Sequence, residues 1–277
     1  MKVGIPLGTL NPSLWTAATI LADELGYESV WMPEHLVLPV DGTGSPFDGQ
    51  DHPPIPPDIP VFDVFTYLGF LAGRTSRIRF GTHVYNLGLR HPFIAARAVA
   101  TLDVVSEGRV EFGIGASWLA AEWSAVGLDF ATRGRRVDES LDVCRRLWSE
   151  RSVEHHGEFF DFDAVMFEPK PVQRPHPPIH VGGDGPAALR RAAIAGEGWI
   201  PMNHTLDQIP AAATRLADLR AAAGRAGRVE ITLGAPATTD LEAYAAAGVD
   251  RVIIRPWTSS KNALDGLRRF ADEVGLA

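Results

Sequence analysis

The chain has 277 residues, 45% of them hydrophobic and 22% charged, with 26 Lys+Arg against 34 Asp+Glu, a formal net charge of -8 and a single cysteine. This composition excludes a disordered chain, and the length suffices for one large barrel or two small domains. One cysteine excludes an internal disulfide and a multi-cysteine metal cluster, the acidic balance argues against nucleic acid or an anionic membrane as partner, and no apolar run approaches a membrane span.

The N-terminal run Lys2 to Leu7 reads as a strand, and it reaches Asn11-Pro12 before a secretory apolar segment forms, so a cytoplasmic protein is expected. Asn11-Pro12-Ser13 starts a helix that Gly26 ends. A strand follows at 28–32, then a Pro/Gly-rich stretch over 33–60 that suits no regular element. A helix is expected at 61–75 and a strand at 78–84. Pro92 opens a helix to 106, followed by a strand at 109–115 and a helix from about 133 to 150. Residues 151–177 read as a second irregular insertion, with His155-His156 in a solvated loop. Strands at 178–183, 198–202, 231–236 and 251–257 then alternate with helices at 186–196, 206–226, 240–248 and 262–275.

Strands alternating with helices imply parallel βαβ units. Eight such units in a chain of this length predict a (β/α)8 TIM barrel, a single domain over residues 1–277 with insertions at about 33–60 and 151–177. An open doubly wound sheet is the competing reading, but the first strand is followed by Gly8-Thr9-Leu10-Asn11-Pro12 and not by a glycine-rich dinucleotide turn.

Barrel enzymes build their sites at the carboxyl ends of the strands. Those ends carry Glu34-His35, Thr82 to Asn86, Gly115 to Trp118, Gly182 to Gly185, Met202-Asn203-His204 and Arg255-Pro256-Trp257. Such a collection of polar and aromatic groups suits a pocket for a flat, polar ligand. His35 is a candidate general acid/base, against the alternative of a rim histidine that only bonds a loop. A metal held by His35, His83 and His204 has no supporting motif, since neither HExxH nor paired carboxylates occur. In Gly113-Ile114-Gly115-Ala116-Ser117-Trp118 a tryptophan replaces the third glycine of a dinucleotide fingerprint, so the run suits close approach to a planar ligand, or a plain tight turn. Gly182-Gly183-Asp184-Gly185-Pro186 precedes a helix N-terminus and suits a phosphate, with Arg190 or Arg191 adding charge, unless Asp184 points inward. Cys144 lies mid-helix with no activating base and reads as a packed thiol. The only lysines are Lys2, Lys170 and Lys261, none suited to Schiff-base chemistry at a strand end.

The combination of Trp31-x-x-Glu34-His35, Gly81-Thr82-His83-Val84 with Arg90-His91-Pro92, Gly113-x-Gly115-x-x-Trp118, Arg133-Gly134-Arg135 with Asp138-Glu139, and Pro178-x-x-Val181-Gly182-Gly183 resembles the bacterial-luciferase-like family. Within it the pattern is most similar to the branch that uses the deazaflavin coenzyme F420. The resemblance implies a TIM barrel with insertions, and a non-prolyl cis peptide at His83–Val84 behind the cofactor ring. It implies cofactor contacts from Thr82, His83, Val84 and Asn86, from Gly115, Ala116, Ser117 and Trp118, and a tail-phosphate site over Gly182, Gly183, Asp184 and Gly185. His35 and Glu34 stand where related dehydrogenases carry a catalytic Asp-His pair, with Glu34 in place of Asp. Ala116 stands where the sugar-phosphate dehydrogenases of the branch carry an acid, so that substrate is not expected.

The resulting expectation is an oxidoreductase moving a hydride to or from F420 with a small organic substrate, with the insertion 33–60 as a lid and a homodimer by analogy with the family. An FMN-dependent monooxygenase, a non-catalytic cofactor-binding barrel, and a barrel lyase or isomerase are the alternatives.

Overall fold

The computed structural model describes residues 1–40, 45, 56, 58–235 and 238–276. The expected lid therefore lies mostly outside the described residues, as does Pro236 at the end of its expected strand. Eight parallel strands form the barrel: β1 (Lys2–Pro6), β2 (Ser29–Met32), β3 (Arg79–Thr82), β5 (Val110–Gly115), β8 (Ile179–Gly182), β9 (Gly198–Ile200), β10 (Glu230–Ala235) and β11 (Arg251–Ile254). Each pairs with the next in that order, and β11 returns to β1 in the register Lys2↔Arg251, which closes the sheet. A two-residue strand, β4 (Tyr85–Asn86), follows β3 across a bulge and pairs with Ile114 and Gly115 of β5.

The outer helices are α1 (Trp15–Glu24), α2 (Val64–Ala72), α3 (Pro92–Val105), α5 (Arg133–Ser149), α6 (Pro186–Ala195), α7 (Ile209–Ala222), α8 (Leu241–Ala246) and α9 (Ala263–Val274). Their starts follow local chemistry. The Asn11 side chain accepts from Ser13 N (3.0 Å) ahead of α1, and His91 Nδ1 accepts from Phe93 N (3.2 Å) ahead of Pro92 in α3. Trp15, Ala18, Thr19 and Ala22 give α1 one buried stripe, and Val137, Leu141, Cys144 and Trp148 give α5 another. Burial pushes the Cys144 thiol up, in keeping with a packing role.

Two features differ from the sequence reading. The insertion 151–177 is not irregular throughout: β6 (Ser152–His156) and β7 (Asp161–Met166) form an antiparallel hairpin. Within it His155 is half-buried and paired with Glu139 (3.1 Å), so only His156 is solvated. The polar surroundings hide the alternation that marks a strand, because most of β7 faces water. A short helix, α4 (Ala120–Ala125), also follows β5. No helix among the described residues is long and apolar enough to cross a membrane.

The amino-terminal end of the barrel is filled by charge, not by aliphatic side chains. Arg251 is fully buried and binds Glu28 through Nη2 and Nε (2.7 and 2.8 Å) and Glu230 through Nη1 (2.5 Å). Arg79 bonds Glu111, which also meets His180 Nε2 (2.5 Å) and Arg251 (3.4 Å). Lys2 completes the set on Glu230 (2.5 Å). Three cations thus face three carboxylates, and His180 Nδ1 is left without a partner. Burial would raise the Glu111 carboxyl, but the His180 hydrogen bond and the two guanidiniums hold it well below the usual range. Above this layer Trp31 lies over Arg251 (5.3 Å) and edge-on to His180 and His83 (5.6 and 6.2 Å).

Arg251→Ala strands the buried Glu111 and the half-buried Glu28 and Glu230 without their shared partner. Urea unfolding is expected to show a loss of about 3–5 kcal/mol relative to the wild type.

Candidate active site at the barrel mouth

A cavity of about 650 Å3 opens at the carboxyl ends of the strands, and every expected site residue except Thr82 lines it. Thr82 is buried, with its hydroxyl donating to Gly113 O (2.6 Å), so it ties β3 to β5 beneath the cavity. The geometry builds from three places.

The first is the loop after β2. His35 Nδ1 lies 3.1 Å from Glu122 Oε2, and the ring stands edge-on to Trp118 at 5.7 Å. Glu122 comes from α4 and is fully buried; its Oε1 also accepts from Leu36 N (2.5 Å) and Val37 N (3.4 Å). With Nδ1–H committed to this carboxylate, Nε2 is the nitrogen left to accept a proton, and the charge of Glu122 supports the resulting imidazolium. Glu122 was missed from the sequence. Its signal is an acid in the first turn of a short apolar helix, four residues after Trp118, and nothing local connects it to His35, 87 positions earlier.

Glu34, the other expected catalytic residue, is held by two partners. Its carboxylate is buried, bound to Arg90 Nη2 (2.5 Å) and accepting from Asn86 N (2.9 Å), and its carbonyl accepts from Asn86 Nδ2 (3.4 Å). Both oxygens are engaged, so it fastens the His35 loop to the β4 bulge. Burial would lower the Arg90 guanidinium, and the Glu34 charge raises it instead.

The second place is the bulge. The His83–Val84 peptide is cis, as the resemblance implied. Val84 projects onto two glycines: a Cβ on Gly115 would meet Val84 Cγ2 at 2.6 Å, and one on Gly182 would meet Cγ1 at 2.9 Å. Those two positions must be glycine for the valine to sit as a flat apolar support at the cavity wall. Burial pushes the His83 imidazole down to about 4, so it is neutral there. Ser117, at φ 66°, turns the chain after β5 so that Trp118 faces His35.

The third place is the start of α6. Gly183 adopts φ 116°, Gly185 caps the helix and Pro186 opens it, so the helix dipole faces the cavity. The Asp184 carboxylate binds Met202 N (2.9 Å) and His204 Nδ1 (2.8 Å), and although burial alone would raise it, these bonds hold it low. Arg133, Arg135 and Arg191 line the same end, with Arg191 Nε on Asp138 (2.5 Å). His35, His83 and His204 do not converge as a ligand set; among the described residues only Glu111, His180 and Glu230 come within ligand spacing, on the barrel floor where the guanidiniums already occupy them.

A closed parallel barrel with a mouth cavity, a histidine at one end and a helix N-terminus at the other is a (β/α)8 barrel with a site at its carboxyl face. The chain belongs to the luciferase-like monooxygenase family, whose model matches residues 16–271. It is 33% identical over 281 residues to an uncharacterized protein of Mycobacterium tuberculosis, covering 99% of each chain. It is 34% identical over 188 residues to an F420-dependent glucose-6-phosphate dehydrogenase of Kineococcus radiotolerans, covering 65% of this chain and 50% of that one. The solved structure of an F420-dependent secondary alcohol dehydrogenase with an F420-acetone adduct superposes with a TM-score of 0.79 at 15% identity, over 99% and 98% of the two chains, which shows a shared fold.

Two outcomes follow from this geometry. Glu122→Gln removes the acceptor that fixes the ring, so 15N shifts of His35 are expected to show the Nδ1–H tautomer in the wild type and a mixture in the variant. For His83 the unfolded ring takes up a proton near 6.5 and the folded one only near 4. Stability is then complete above pH 6.5 and falls as the pH drops toward 4, and His83→Asn is expected to flatten that slope in urea midpoints measured across the window.

Proposed function

We propose that this protein is an oxidoreductase that moves a hydride between the deazaflavin coenzyme F420 and a small organic substrate. The observation that carries the reading is the mouth cavity with the His35–Glu122 pair at one end and the start of α6 at the other. The residues fit the cofactor on structural grounds. Val84, with Gly115 and Gly182 behind it, offers a flat wall that a side chain at either glycine would destroy. The start of α6 after Gly185 offers its dipole to a phosphate, with the Asp184 carboxylate engaged by Met202 N and His204.

When bound, the deazaflavin supplies two-electron hydride chemistry at its ring. The protein supplies the rest. Oxidation of a substrate alcohol carbon releases one proton for each hydride, and His35 Nε2 accepts it, with Glu122 stabilising the cation. In the reverse direction the imidazolium returns the proton to the carbonyl oxygen. Glu34, held by Arg90, keeps the loop that carries His35 against the bulge that carries Val84. Trp118 and Val84 shield the reacting end from water. Ala116 leaves the fourth-strand position without an acid, and the charged side chains among the described lining residues gather at the α6 end apart from Glu34, which Arg90 neutralises. A neutral substrate suits the His35 end better than a sugar phosphate. The same buried His–Glu pair speaks against a barrel that only stores cofactor.

Equilibrium titration of the purified protein with F420 and with FMN tests this. Micromolar or tighter F420 binding is expected. Tight FMN binding with none of F420 would replace the reading with an FMN-dependent monooxygenase.

A further inference from the structure

Two buried carboxylates flank His35: Glu34, the residue before it, and Glu122 of α4. They differ in their cations. Among the described residues Glu122 pairs with no lysine or arginine, only with His35 Nδ1 (3.1 Å). Glu34 has Arg90, whose Nη2 meets its Oε1 (2.5 Å). Arg90 is itself fixed by the core. Its guanidinium lies over the Tyr85 ring (4.5 Å), and Tyr85 packs on Phe65 and Phe112 (5.0 and 5.8 Å), all three buried. Nη1 is buried without a partner, so Glu34 is the one carboxylate that this guanidinium bonds among the described residues. The other groups around the pair bring no competing charge. Asp63 is exposed and caps α2 by accepting from Thr66 N (2.8 Å), and burial pushes the Tyr85 phenol up. His83, held down by burial, is neutral, and the loop after β5 presents the uncharged Trp118 to His35 (5.7 Å).

An imidazole between two unbalanced carboxylates shares its proton chemistry with both, because interacting groups titrate as a set. One balanced carboxylate and one unbalanced one leave it answering to a single charge. We infer that Arg90 is a positioning residue for the proton step: by balancing Glu34 it leaves Glu122 as the one unbalanced charge at His35, so that a proton taken from substrate rests on the imidazole. This rests on the role given to His35 above, but neither the charges nor their test requires a cofactor.

The 15N signals of His35, followed across pH in the full chain without cofactor, test the inference. In the wild type they are expected to follow one ionisation. Arg90→Met keeps an apolar chain on Tyr85 without the charge, so Glu34 competes for the proton. The His35 titration is then expected to move up by about one pH unit or to split into two steps. Arg90→Lys keeps the charge and is expected to keep the wild-type midpoint. Glu34→Gln leaves Arg90 unbalanced and is expected to lower the midpoint by a similar amount, and Arg90→Met/Glu34→Gln to restore it. Circular dichroism reports whether each has folded, and Glu34→Gln decides the matter if Arg90→Met has not. An unchanged titration in folded Arg90→Met or in Glu34→Gln overturns the inference. So does a shift that persists in the double variant or appears equally in Arg90→Lys, since displacement of the loop is then its cause. A wild type that shows these shifts in its variants but binds no F420 overturns the cofactor reading and leaves the role of Arg90 standing.

Discussion

The buried guanidinium of Arg251 is the constraint on which the rest of this barrel depends. It reaches Glu28 at the start of β2, Glu230 at the start of β10 and Glu111 in β5, so one side chain on β11 ties together strands that are distant in sequence. A barrel interior filled this way has fixed registers, because a slip of one residue would carry each charge to the opposite face of its strand. Such a network is costly to desolvate and gives direction more than raw stability. It gives the barrel a polar floor at one end and leaves the other end free for a site.

Trp31 carries that order upward. Its ring lies on the charged layer below and edge-on to His83 above, with Ile200 and Ile253 packed beside it. The height of the bulge after β3 is thereby set, and with it the position of Val84 against Gly115 and Gly182. The loop after β2 is pinned separately by two buried glutamates. Glu34 clamps it to the bulge and Glu122 clamps it to α4. The loop after β2 is held from both sides for the same reason: each buried acid has its oxygens committed, so the loop cannot shift without leaving a charge unpaired.

Much of this architecture was legible in the chain. Alternating strand and helix patterns gave the barrel, the strand-end rule gave the cavity wall, and the motif set gave the family and the cis bond at His83–Val84. The hairpin at 152–166 was not legible, because its strands are half in water and carry no clear alternation. The resemblance pairs Glu34 with His35, and only the tertiary structure shows that its carboxylate also meets Arg90. Thr82 was read as a cavity residue and turned instead to Gly113 O.

The sequence alone determined which elements form, their order, and which residue types collect at the strand ends, since periodicity, caps and glycine positions are local properties. Tertiary structure alone decided who partners whom. Glu122 finds His35 across 87 positions, and Arg251 finds Glu28 across 223. Charge pairing acts through space at a few ångströms, and only the closed barrel brings those distances about.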